Sequence, residues 1–204
     1  RIHNNSWGDN ENAPTPRPSN YSARSQDVDR FVWDHKDMLL VFAAGNSGAN
    51  DAEFSVCSPS TNKNGLSVGS VRANANSNTD NDISSYSSPD LMAPGCNASA
   101  GTDNDNTTRN CSQNSGCGTS YASPILVGAA ALVRQYFTDG FYPSGAKNSA
   151  DTLQPTAALL KATLINGAVP LTGKDNAGRD ITPIPSNEQG WGRIQLDRSL
   201  LFQG

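Results

Sequence analysis

Apolar residues in this chain come in short blocks separated by long polar stretches, and the spacing within each block predicts its element. Ile2–Trp7 reads as a short strand. Asp9–Tyr21 carries Pro14, Pro16 and Pro18, which no helix interior tolerates, and reads as a loop. Across Ser25–Asp37, Val28, Phe31 and Val32 share one helical face, Asp27, Asp29 and Arg30 the other, and Ser25 is the expected N-cap. Met38–Ala44 is apolar without alternation and runs into Gly45, which suits a strand buried on both faces, as in a parallel sheet; Gly65–Val71 repeats the pattern. Arg72–Ser88 is polar and turn-rich. Leu91–Ala93 is a brief apolar piece stopped by Pro94 and Gly95, and Asn97–Gly118 reads as a long polar loop. Tyr121–Phe137 is apolar nearly all round and reads as a buried helix, Thr156–Asn166 as a second one. Val169–Gln189 is irregular, and Gly190–Leu196 reads as a closing strand or turn. Strand, helix, strand, then helices is the rhythm of an α/β layered domain on a mainly parallel sheet.

The length of 204 residues and a hydrophobic fraction of 35% fit one domain with one substantial core. A net charge of −4 without Lys/Arg clusters removes nucleic acid from the expected partners. The longest apolar stretch, Ile125–Val133, is interrupted by Gly128 and falls well short of the roughly 20 residues of a membrane span. Arg1 runs straight into a strand, so any targeting sequence is expected upstream. There are four cysteines: Cys57, Cys96, Cys111 and Cys117. An even count in a loop-rich chain predicts two disulfides and an oxidising, secreted or extracellular setting. All three pairings stay open, with a local Cys111–Cys117 bridge conceivable. Metal binding is the competing reading, but no C-x-x-C pair occurs.

Two motifs carry candidate chemistry. Gly118-Thr119-Ser120-Tyr121-Ala122-Ser123-Pro124 opens the buried helix. A serine there sits among backbone N–H groups that lack intrahelical partners, at the positive end of the helix dipole, where an oxyanion is stabilised. Pro124 fits the first turn, where its missing N–H is not needed. Taken alone, Ser120 is equally an ordinary N-cap. The second motif, Val41-Phe42-Ala43-Ala44-Gly45-Asn46-Ser47-Gly48, ends a buried strand with a side-chain amide between glycines. Such an Asn can aim its N–H₂ at a ligand, or is simply a turn residue.

Together, and in this order, the two motifs resemble the subtilisin-like serine proteases (subtilases, peptidase S8 family). Flanking segments agree: Ile2–Gly8 resembles the strand that pairs with bound substrate. Ser58–Gly69 resembles the wall of the first specificity pocket, Asp90–Gly95 the segment written DVMAPG, and Gly190–Arg193 the G-x-G turn. The pattern is closest to the KP-43-like branch of large secreted alkaline subtilases. The resemblance implies the C-terminal part of a three-layer αβα domain. It makes Ser120 the nucleophile and gives Asn46 and the Ser120 N–H as the oxyanion hole. Ser6, Trp7 and Gly8 would bind peptide by strand addition, while Ala43, Ala44, Gly45 and Thr119 would line the substrate site.

The family's catalytic Asp and His motifs, D-[ST]-G and H-G-T, do not occur. The two histidines, His3 and His35, lack the required context and read as structural or solvated. A serine without its base is a weak nucleophile. The chain is therefore expected to be half of a composite domain, partnered by an N-terminal fragment carrying Asp and His and separated from it by maturation, autolysis or truncation. A catalytically inactive peptide-binding module is the alternative. An unrelated α/β hydrolase fails for want of a G-x-S-x-G elbow. No cofactor is required for the chemistry. Asp80-Asn81-Asp82 and Asp103-Asn104-Asp105 read as solvated turns, structural calcium being the competing reading. Sequons occur at Asn20, Asn97, Asn106 and Asn110, and Asn4 fits the pattern but is expected in a buried strand.

Overall fold

A computed structural model describes residues 1–9, 20–46, 55–72, 83–85, 89–102, 112–175 and 178–203. Its frame is a six-stranded sheet in the order β1-β2-β3-β5-β6, with β4 paired to β3. Strands β1 (Ile2–Asn5), β2 (Leu39–Ala43), β3 (Leu66–Arg72) and the first half of β5 (Leu91–Thr102) run parallel. β4 (Ile83–Ser85) and β6 (Ser112–Cys117) are antiparallel to their neighbours. As the unbroken apolar runs predict, β2 and β3 are interior: Leu39, Val41, Leu66 and Val68 are fully buried.

Strand alternation separates the two faces of the sheet. Ile2, Leu39 and Val41 join the core under α2 (Thr119–Thr138), where Ala122, Leu126, Ala130 and Val133 are fully buried. His3, Asn5, Leu40 and Phe42 face the other way, toward α1 (Ala23–Asp34). Helix α3 (Ala157–Asn166), capped by the Thr156 hydroxyl accepting from Leu159 N at 3.1 Å, packs beside α2. A short α4 (Leu196–Ser199) follows. This is the mainly parallel, layered α/β arrangement the sequence predicts.

Several expectations are corrected. Helix α1 starts at Ala23 with Ser22 as N-cap, and Ser25 lies inside it. Ser25 is fully buried because its hydroxyl ties α1 to the 58–61 turn, 3.1 Å from Ser58 Oγ and 2.7 Å from Thr61 Oγ1. Within the long polar loop expected over 97–118, residues 97–102 and 112–117 instead pair as a β-ribbon, Cys96 facing Cys117 and Thr102 facing Ser112, and residues 103–111 lie outside the described residues. Pro94 does not stop β5. It sits beside a register shift at Val71/Arg72, the kind of irregularity that accommodates a missing N–H. Gly190–Leu196 forms isolated bridges, Met92 with Arg193 and Val169 with Arg193, then enters α4. Both Asp/Asn runs weighed for calcium lie outside the described residues. Among the described residues no helix is long and apolar enough to cross a membrane.

Candidate active site

The first turn of α2 is held where three strand ends converge. From the β5 side, Gly118 N donates to the Gly95 carbonyl at 2.9 Å. That approach needs glycine at 95: a Cβ there would lie 2.7 Å from Gly118 O and 2.8 Å from Ala122 Cβ. Gly118 itself has φ +148°, and a Cβ on it would press on Asn46 Oδ1 at 3.2 Å. From the β2 end, the oxygen of the Asn46 carboxamide accepts the Thr119 N–H at 2.9 Å and the Thr119 hydroxyl at 3.2 Å. Thr119 Oγ1 in turn accepts from Gly45 N at 3.2 Å, and Ala44 N donates to Val68 O at 2.9 Å. Ala43, Ala44, Gly45 and Thr119 are all buried.

These bonds leave two donors free at Ser120. With its oxygen anchored on Thr119, the Asn46 carboxamide presents its N–H₂ with no acceptor among the described residues. The Thr119 N–H is taken by Asn46, and the Tyr121 and Ala122 N–H groups both reach Gly118 O, at 3.1 and 3.3 Å. The Ser120 N–H is thus the donor of the first turn left unpaired among the described residues.

The third side is β1. Ser120 Oγ is 3.4 Å from the Ser6 carbonyl, a loose contact. Ser6 Oγ donates to the Ser120 carbonyl at 3.0 Å. Pro124 explains why that carbonyl is open. It lies in the helix rather than at its start, four residues after Ser120, where the ladder would require its N–H to bond Ser120 C=O. Beyond Ser6, Trp7 is 48% exposed and meets Phe42 edge-on at 6.3 Å. Gly8 has Cys57 Cβ and Ser58 O at ordinary contact, 3.7 Å from where its Cβ would stand.

Among the described residues the site contains hydroxyl and amide groups but no base. His3 projects from β1 on the α1 face of the sheet, opposite α2. His35 stacks on Phe31 at 4.3 Å with Nδ1 3.0 Å from Phe31 O. Neither belongs to the Ser120 cluster. Asn4, expected to be buried, is exposed, while Asn5 is buried and donates to Val41 O at 3.3 Å. Asn4 was missed as a site neighbour, and so was Ser123, which donates to Asn4 Oδ1 at 2.6 Å. The spacing was legible, since N-x-S places Asn4 and Ser6 on one strand face and S-x-x-S places Ser120 and Ser123 on one helix face.

The model of the subtilase family, Peptidase S8, matches residues 1–192, nearly the whole chain. The chain belongs to the subtilase family. Among solved structures, the subtilase chain superposes on the prenylagaramide maturation protease PagA with TM-score 0.63 at 19% identity, covering 97% of itself and 60% of that chain. It matches the self-cleaved protease domain of PatA with TM-score 0.62 and the same coverage. Among curated proteins it is similar to the serine protease/ABC transporter B family proteins tagD (26% identical) and tagB (31% identical) of Dictyostelium discoideum. It covers 16% and 10% of their lengths, so the curated relatives are far longer than this chain.

Two expectations change with these relatives. A secreted or extracellular protein was expected, but these matches are serine protease/ABC transporter B family proteins, and that expectation is withdrawn. Nor do they support the KP-43-like branch. The cysteine pairing is also corrected: Cys117 is bonded to Cys96, its partner across β5 and β6, and not to Cys111, which lies outside the described residues. Cys57 Sγ lies 3.6 Å from Ser55 O, and Cys96–Cys117 is the disulfide seen among the described residues.

Proposed function

We propose that this subtilase chain supplies the nucleophile and oxyanion hole of a serine endopeptidase, and that an N-terminal portion of the same domain supplies His and Asp. The observation that carries this reading is that Asn46 is bonded to Thr119, the neighbour of Ser120, while the Asn46 N–H₂ and the Ser120 N–H have no partner among the described residues. Ser120 Oγ attacks the peptide carbonyl while the histidine of the N-terminal portion takes its proton. The resulting oxyanion accepts from the two donors, which are held in place before the reaction begins. Ser6, Trp7 and Gly8 offer backbone groups to an extended peptide. Ala43, Ala44, Gly45 and Thr119 shape the first pocket beside it. The chemistry calls for no cofactor, and calcium, where bound, is structural.

Three observations support the N-terminal partner. β1 has a neighbour on one side only among the described residues. Beside it, a groove of about 500 Å³ is lined by Trp7, Val28, Phe31, Met38, Leu40 and Phe42. Apolar surface of this kind is covered in a finished domain. The matched protease structures also extend well beyond the part this chain covers.

The missing base favours a second reading, an inactive subtilase-like module that binds peptide. A fluorophosphonate probe separates the two. The chain joined or mixed with the N-terminal portion is expected to become labelled at Ser120 and to cleave peptide bonds. Failure of labelling with that portion bound would leave the peptide-binding reading.

A further inference from the structure

The geometry points to Asn4 as the positioning residue that sets the Ser120 nucleophile against the substrate-side strand, an inference that rests on the reading of Ser120 as nucleophile. A relay of hydrogen bonds with one consistent direction runs through it. Ser123 Oγ donates to Asn4 Oδ1 at 2.6 Å, and Asn4 Nδ2 donates to Ser6 Oγ at 3.1 Å. Ser6 Oγ, its lone pair engaged by Asn4, directs its own proton to the Ser120 carbonyl at 3.0 Å. That carbonyl needs this partner because Pro124 has no N–H to give it.

Both ends of the relay are fixed by the fold. Ser123 is fully buried, so its hydroxyl must find an acceptor. A helical serine ordinarily returns its proton to the carbonyl one turn back, whereas Ser123 reaches across to β1. At the other end, the Ser6 carbonyl faces Ser120 Oγ at 3.4 Å. Asn4 therefore measures the distance between helix and strand at the place where the nucleophile meets bound peptide. A carboxamide is required because one end must accept and the other donate. A carboxylate of the same size only accepts. The Ser6 proton would turn to it and release the Ser120 carbonyl, freeing the first turn of α2 to shift.

Asn4 is exposed, so water replaces its own partners, and a Ser123 hydroxyl that loses Asn4 can turn back to the carbonyl one turn earlier, so the expected loss falls on catalysis more than on folding. The test uses the complete protease, comparing Asn4→Asp, Ser123→Ala, Asn4→Ala and the double variant Asn4→Ala/Ser123→Ala. Displacing a reacting group by ~1 Å costs up to about 100-fold in rate. Each single variant is accordingly expected to lower kcat and the fluorophosphonate labelling rate by about 10-fold or more, with KM changed less than about two-fold. The double variant should lose no more than the worse single one, because both act through one relay. Unchanged labelling in Asn4→Asp, a loss confined to KM, or additive losses would overturn the proposal. Ser120→Ala is run alongside. If it still labels at the normal rate, the nucleophile reading itself falls; if it is silent while the Asn4 and Ser123 variants label normally, the relay alone falls.

Discussion

Asn46 Oδ1 accepts the backbone N–H of Thr119 at 2.9 Å, and that bond decides which end of the Asn46 carboxamide faces Ser120. The oxygen is held on the helix, which leaves the N–H₂ for the developing negative charge in the proposed reaction. In a subtilisin, removing one such donor lowers kcat by about 10²- to 10³-fold. Asn46→Ala in the complete protease is expected to do the same with KM nearly unchanged. A rise in KM at constant kcat would mark Asn46 as a ground-state contact instead.

Ser120→Ala should abolish fluorophosphonate labelling and lower kcat by about 10⁶-fold, the scale found for the serine of a subtilisin. Peptide binding should survive, since the contacts proposed for Ser6, Trp7 and Gly8 are made by backbone groups. A variant with retained turnover would move the nucleophile elsewhere.

Gly95→Ala places a methyl group 2.7 Å from Gly118 O and 2.8 Å from Ala122 Cβ. Neither neighbour is a flexible side-chain end, so the start of α2 must move. Overpacking of this kind costs about 1–3 kcal/mol, and activity should fall further than stability alone explains. Wild-type melting and turnover in this variant would show that β5 does not fix the nucleophile turn.

Cys96 and Cys117 are 21 residues apart and bonded to each other. Closing a loop near this length in the unfolded chain stabilises a fold by about 3 kcal/mol. Replacing both by Ala should therefore lower the melting temperature by roughly 6–12 °C for a chain of this size. Thiol labelling of the unreduced, denatured protein should leave Cys96 and Cys117 protected until a reductant is added.

The interior strands and helices were legible because burial on both faces leaves an unbroken apolar run: β2, β3, α2 and α3 came out within a few residues. The β5–β6 ribbon was not, because beyond Cys96 it pairs only with itself and needs no apolar alternation to form. Ser120 and Asn46 were legible as motifs. What could not be read was which small polar residues converge on them. Gly95, Asn4 and Ser123 acquire a role only when the ends of β5 and β1 are brought against the first turn of α2. The N-cap expectation failed for a similar reason. Ser25 and Ser22 are equally good caps in isolation, and a tertiary contact to Ser58 and Thr61 decided between them.

The ribbon also has a mechanical consequence. From Cys96 to Thr102 it leaves the sheet as an arm of two strands, roughly 20 Å long at about 3.3 Å per residue. Among the described residues these two strands hydrogen-bond only to each other, and a lone strand pair makes a soft lever. A pull or twist applied at its far end would travel down β6 to Cys117, one residue before Gly118. There the bond to Cys96 acts as a bolt across the pivot, grounding the load in β5 and through it in the sheet. The one route around that bolt among the described residues is Tyr121, which lies over Gly116 of β6 and adjoins Ser120.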